Sequence, residues 1–302
     1  MRIASLLPSA TELLYAVGAG ADVVGRTHEC DYPPEAQSLP VLTSSAIDHA
    51  GQTCAAIDRH VRHAVHEGSS LYRLDEHLLR SVAPDLIVTQ ELCDVCAVAY
   101  AEVQRAARRL AGAVPVISLE PTSLDDICAT AVVVGEASGH ATEGAELATA
   151  MSERLNAVEA PSHLPSTPRV VCLEWTDPLM AGGHWVPEMV RRAGGHDVLG
   201  VERQPSSMVE WSDVVAAAPD VIVLMPCGFD VERTLAAATD VTERPGFAQL
   251  PCAHTGAVVA VDGSSYFNRP GPRIVQGLTI VSAILGAEPG AQLPAGAEWV
   301  PL

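Results

Sequence analysis

His28 and Cys30 stand two residues apart and Cys93 and Cys96 three apart, so four soft donors fall into two short stretches of a 302-residue chain. Imidazole nitrogen and thiolate sulfur at such spacing are ligands for zinc, cobalt and similar transition metals. A single Cys-x-x-Cys also suits a redox pair, or two small apolar side chains turned inward at a helix start. A second set consists of flat rings. Aromatic residues are only 4% of the chain, yet Tyr32, Trp175, Trp185, Phe229, Tyr266 and Phe267 all fall in or just beyond segments that read as loops following strands. Rings gathered at one mouth give large contact area at low entropic cost, which fits a flat, partly apolar ligand; the plainer alternative is that single rings plug a core. His184, within Gly182 to Trp185, joins the ligand-facing set, whereas His196, just after Gly194 and Gly195, reads as an exposed residue near a helix C-terminus.

No Gly-x-Ser-x-Gly elbow, phosphate-binding Gly-x-x-x-x-Gly-Lys-Ser/Thr or His-Glu-x-x-His occurs, so no catalytic set declares itself. His60, His63 and His66 recur at helical spacing, but beside Arg59 and Arg62 they read as a solvated face.

The elements that must position these residues alternate. Short β-branched runs at 2–7, 23–25, 86–89 and 114–118 are interleaved with helical stretches at 11–17, 100–110 and 124–134, the pattern of βαβ units around a buried parallel sheet. Ser9 or Thr11 is predicted to cap the first helix, whose N–H groups would then be free to meet an anionic ligand group. Residues 123–155 read as one long helix, ended by Pro161, Pro165 and Pro168. A second unit repeats the grammar, with strands at 169–173, 221–225 and 257–261 and helices at 186–193, 211–217, 231–238 and 273–285; residues 288–302 read as a tail. The predicted organisation is an N-terminal α/β lobe over 1–122, a connecting helix over 123–160 and a C-terminal α/β lobe over 161–302. In open parallel sheets ligands bind beyond the carboxyl ends of the strands, where the loops carrying the unusual residues lie.

Composition narrows the function. A net charge of −19 with only 18 Lys and Arg excludes a nucleic-acid partner, because a phosphate backbone is gripped by clustered cations. There is no uncharged apolar run long enough to span a bilayer, and no basic head with an apolar stretch and cleavage site. Eight scattered cysteines suit thiols in a reducing compartment. The expectation is therefore a cytoplasmic protein as the sequence is written, or a periplasmic or cell-surface one if its natural start lies upstream.

The stretches Ile3 to Leu14, Ala16 to Gly25 and Pro84 to Val88, with Gly182 to Trp185, Ala193 to Gly195, Trp211, Pro219 to Val223 and Asn268 to Pro272, resemble the helical-backbone solute-binding proteins of cobalamin and iron-siderophore importers. The resemblance spans nearly the whole chain. It implies two Rossmann-like lobes joined by one long helix, a cobalamin or related metal chelate held in the cleft between them, delivery to an ABC importer permease, and no bond-making chemistry. Trp175, Trp185, Tyr266 and Phe267 are the positions it carries over as flanking a corrin ring. The His28 to Asp31 and Leu92 to Cys96 stretches resemble a cysteine-bearing subgroup, in which the thiols touch the ligand metal or bind their own. Two alternatives stand beside the binder: a His/Cys metal-ion-binding protein, and a thiol-dependent enzyme that processes a corrinoid axial ligand.

Overall fold

The computed structural model describes residues 1–46, 51–66, 71–90, 100–110, 114–162 and 166–302. Two compact units divide the chain: Met1–Gln52, Ala56–Pro121 and Asp125–Ser152 form the first, and Thr53–Ala55, Thr122–Leu124 and Glu153–Leu302 form the second.

The first unit contains β1 (Ile3–Ser5), β2 (Val23–Gly25), β3 (Thr43–Ser45), β4 (Tyr72–Leu74), β5 (Leu86–Thr89) and β6 (Val116–Ser118). Strands β2-β1-β5-β6 make a parallel sheet, while β3 and β4 pair antiparallel on their own. Successive side chains of a strand point to opposite faces, and here both faces are covered. Leu86 and Val88 join Ile3, with Leu13 and Leu14 of the helix Pro8–Ala16 and Val134 of the helix Leu124–Ser138, on one face. Ile87 joins Ala4 on the other, with Leu79 of the helix Glu76–Ser81 and Val103 of the helix Tyr100–Arg108. Each fully buried aliphatic side chain of this kind contributes about 1.5–3 kcal/mol before entropy is counted.

Two sequence expectations in this unit are corrected. The first helix starts at Pro8 with Leu7 at the N-cap and no side-chain cap, because proline's fixed φ and missing N–H suit the first helical position. Ser9 and Thr11 are buried inside its first turns instead. The single long helix is two, Leu124–Ser138 and Ala141–Asn156. Gly139, at φ +82°, stops the first. Gly135 and Gly144 then meet so closely that a Cβ on Gly135 would lie 2.7 Å from the Gly144 Cα.

The second unit holds β7 (Arg169–Thr176), β8 (Leu179–Ala181), β9 (His196–Asp197), β10 (Ser207–Met208), β11 (Val221–Leu224), β12 (Val258–Val261) and β13 (Ala297–Trp299). Their order is β10-β8-β7-β11-β12-β13, with β9 also on β7. The centre β7-β11-β12 is parallel, and β8, β10 and β13 add antiparallel edges. β11 and β12 are buried along their whole length, as the uninterrupted Val/Ile/Leu runs demand. The expected tail is corrected as well: Ala297–Trp299 pairs with Val259–Val261 and closes the sheet edge. Among the described residues no helix is long and apolar enough to cross a membrane.

Candidate functional site

In the first unit the loop after β2 carries His28, Cys30 and Tyr32 past the carboxyl ends of the strands. Arg26 anchors its root by donating to the Thr27 and Gln37 carbonyls, each at 2.9 Å. Cys30 turns inward and is 1% exposed, with its Sγ 3.0 Å from Thr11 Oγ1 and 3.1 Å from Thr27 Oγ1. Thr11 Oγ1 also lies 2.8 Å from Ser5 Oγ, so strand, helix and loop are joined by a chain of hydroxyls and one thiol. His28 is held by Thr43, whose Oγ1 lies 2.7 Å from Nδ1, and its ring leans on Tyr72 at 5.2 Å between centroids. The Glu29 carboxylate is 3.4 Å from its Nε2. His28 and Cys30 thus each have partners within the protein, while Cys93 and Cys96 lie outside the described residues. Among the described residues no group of three His, Cys, Asp or Glu side chains is placed to hold a metal. Tyr32 is 45% exposed and offers its ring at the surface.

In the second unit the strand-end loops build an aromatic cluster. Trp175, near the end of β7, meets Phe229 edge-on at 5.5 Å and 62°, and the Arg233 guanidinium covers Phe229 at 3.8 Å. Arg233 reaches the ring because it follows it by four residues, across the Asp230 cap of the helix Val231–Ala237, so one helical turn places it over the face. Composition alone passed over this residue, although the spacing was readable. The indole N–H of Trp175 is buried and has no hydrogen-bond partner, an uncommon state for tryptophan. Cys227, exposed in the loop between them, donates its backbone N–H to the Glu174 carbonyl at 3.2 Å.

His184 is partly buried and sits at φ +52°. Burial holds its imidazole below the usual range, so it is neutral near pH 7 and available as a hydrogen-bond partner or metal ligand. Tyr266 faces a groove of about 510 Å³ whose walls include Asp230, Glu232, Asp262 and Glu298. Three rings are corrected. Phe267 is 0% exposed and Trp185 only 6%, and the Trp185 indole N–H donates to the Phe267 carbonyl at 2.8 Å. That pair is a buried strut between loop and core, and its faces are not available to a ligand. Phe229 is also enclosed, at 4%, and supports Trp175 from behind. Burial raises the Cys54 and Cys172 thiols and pushes Cys252 up to about 11, so these three stay protonated and are poor nucleophiles.

Two α/β units, each with its parallel sheet and its unusual side chains on strand-end loops, match the fold of solute-binding proteins. A family match covers residues 3–264, and the chain belongs to the periplasmic binding protein family. It is 26% identical over 278 residues to the vitamin B12-binding protein of Yersinia pestis (strain Pestoides F), covering 91% of this chain and 82% of that one. Among solved structures it is similar to the periplasmic heme-binding protein RhuT from Roseiflexus sp. RS-1 (TM-score 0.70, 24% identity, 94% and 97% of the two chains). It is similar also to the periplasmic vitamin B12 binding protein BtuF of Vibrio cholerae (TM-score 0.66, 20% identity, 94% and 96%). Proteins of this family bind solutes rather than catalyse reactions, and small-molecule binding with ABC-transporter association is typical of them. The expectation of a cytoplasmic protein finds no support in a family described as periplasmic and is withdrawn. Neither the metal-ion-binding alternative nor the thiol-dependent enzyme gains support from these relatives.

Proposed function

We propose that this chain binds a corrinoid of the cobalamin type without transforming it, and presents it to an ABC importer from the periplasm. The observation that carries the reading is the Trp175–Phe229–Arg233 stack at the carboxyl end of a parallel sheet. A half-buried ring braced by a second ring at the end of a strand suits a flat macrocycle. The relatives named for vitamin B12 support cobalamin as the ligand. Tyr32, His184 and Tyr266 are the further side chains assigned to ligand contact, since each retains exposed surface on a strand-end loop.

Calorimetric and visible-absorption titration with cyanocobalamin, and in parallel with hemin, tests the proposal. Saturable binding of cyanocobalamin tighter than about 10 μM, with Trp175→Ala weakening it at least tenfold, is the expected result. Tight hemin binding with none of cyanocobalamin would reassign the ligand, and no binding of either at about 100 μM would remove the binder reading.

A further inference from the structure

β9 is two residues long, yet it roots the segment that holds the His184 loop. Asp197 is 7% exposed, and its Oδ1 accepts hydrogen bonds from the backbone N–H groups of Leu199 at 3.1 Å and Gly200 at 2.8 Å. The chain then runs to Ser206 and returns to Gly182–Trp185 at several points. His184 N–H donates to the Gln204 carbonyl at 2.6 Å, and Arg203 N–H donates to the His184 carbonyl at 2.9 Å. Gly183 lies against the backbone of Gln204, Pro205 and Ser206, where any Cβ would overlap. The Ser206 hydroxyl donates to Glu174 Oε2 at 2.5 Å, which ties the far end to β7.

The inner oxygen, Asp197 Oδ2, is buried and has no hydrogen-bond partner. The point where a Cβ on Gly200 would sit is 2.7 Å from Oδ2 and 2.5 Å from the Gly182 carbonyl oxygen. Two acceptors therefore face the same space across a glycine. Ionised, Asp197 is a buried charge with one oxygen unpaired; protonated, it sheds that charge and gains a donor on the side of the space that the Gly182 carbonyl also faces.

The geometry points to Asp197 as a proton-operated clasp: taking up a proton fastens the 197–206 segment on the His184 loop, and losing it slackens that segment. Burial pushes the Asp197 carboxyl up to about 6, against the opposing pull of the Gly200 and Leu199 N–H groups and of His196. The other charged or titratable neighbours are engaged elsewhere. On β7, the Arg169 guanidinium donates to the Ala217 carbonyl, Cys172 is a fully buried thiol kept neutral, and Glu174 holds Ser206. On the helix Val186–Arg192, Glu188 pairs with Arg192, and Arg191 with Glu202. The folded-state value lies above the ordinary 3.8, so the fastening is complete below about pH 4, is lost between there and about pH 6, and is constant above.

The clasp stands apart from the cobalamin reading; only its bearing on affinity, through His184, rests on it. Backbone amide hydrogen exchange of residues 182–186 and 198–206, corrected for intrinsic rates, tests it on the ligand-free protein from pH 4 to 7.5. Protection should fall by roughly ten- to a hundredfold between pH 4 and 6.5 and then level off. Asp197→Asn should remove the step, while His196→Gln and His184→Asn should keep it. Protection that is flat with pH in the unaltered protein, a step that survives Asp197→Asn, or a step that disappears with either histidine overturns the proposal. Should Asp197→Asn fail to fold, the unaltered protein and the two histidine variants decide the matter.

Discussion

The strand-end loops of the two units begin from the same grammar and finish with different chemistry. In the first unit Ser5, Thr11, Cys30 and Thr27 form a run of side-chain contacts that ties the loop to the strand and helix before it. In the second, Phe229 and Arg233 fix Trp175 from behind, yet its indole N–H is left over. A polar group saturated inside the protein contributes stability, whereas a donor buried without a partner costs stability until something accepts from it. On the proposed reading the second loop carries most of the recognition, and the first adds the Tyr32 ring to a loop otherwise tied to the scaffold.

Five substitutions can break or sharpen that division. The largest effect is expected from Gly183→Ala, whose methyl would overlap the backbone of Gln204 to Ser206. It should cost about 3 kcal/mol in denaturant unfolding and disorder the His184 loop. A neutral result would mean that the 197–206 segment does not rest on that loop. Next, Trp175→Ala should weaken ligand by about 2 kcal/mol at little cost in stability, while Tyr32→Ala, at the rim of the first unit, should change affinity less than threefold. The reverse order in calorimetry would transfer recognition to the first unit.

Asp197→Asn should then stabilise the protein by about 2 kcal/mol at pH 7.5, since the full linkage is partly offset by the weaker acceptance of a neutral oxygen. The gain should shrink as the pH falls from about 6 and vanish below about 4, where the unaltered carboxyl is already protonated. Urea unfolding at pH 4, 5.5 and 7.5 follows it. The smallest effect is assigned to Cys30→Ala, which removes one contact from each of two hydroxyls that keep other partners and should cost about 1 kcal/mol while leaving ligand affinity unchanged. Loss of binding in that variant would give the thiol a recognition role and erase the distinction between the loops.

Much of the fold was legible because a parallel sheet buried on both faces must be written in apolar runs. Leu86–Thr89 and the helix Trp211–Ala217 fall where the pattern placed them, and the neighbouring elements differ by a residue or a few at their ends. The misplaced features depend on local competition that periodicity does not record. Pro8 took the helix start from Ser9 and Thr11, and Gly139 broke a helix that composition ran straight through. Ala297–Trp299 became a strand only because β12 offered an edge.

At the site, the chain order of residues told which loops matter and left open which way their side chains turn. Trp185 and Tyr32 are both aromatic residues on strand-end loops, and one is sealed at 6% exposure while the other stands 45% exposed. Composition and the spacing of apolar runs determined by themselves the α/β class, the pair of units and the loops that carry the unusual residues, because burying a sheet constrains residue type along a strand. The tertiary structure alone decided that Cys30 meets two threonines, that the Trp185 N–H is spent on Phe267, and that the Trp175 N–H is not. Hydrogen-bond partners distant in sequence are chosen by where packed elements come to rest, and no local pattern encodes that choice.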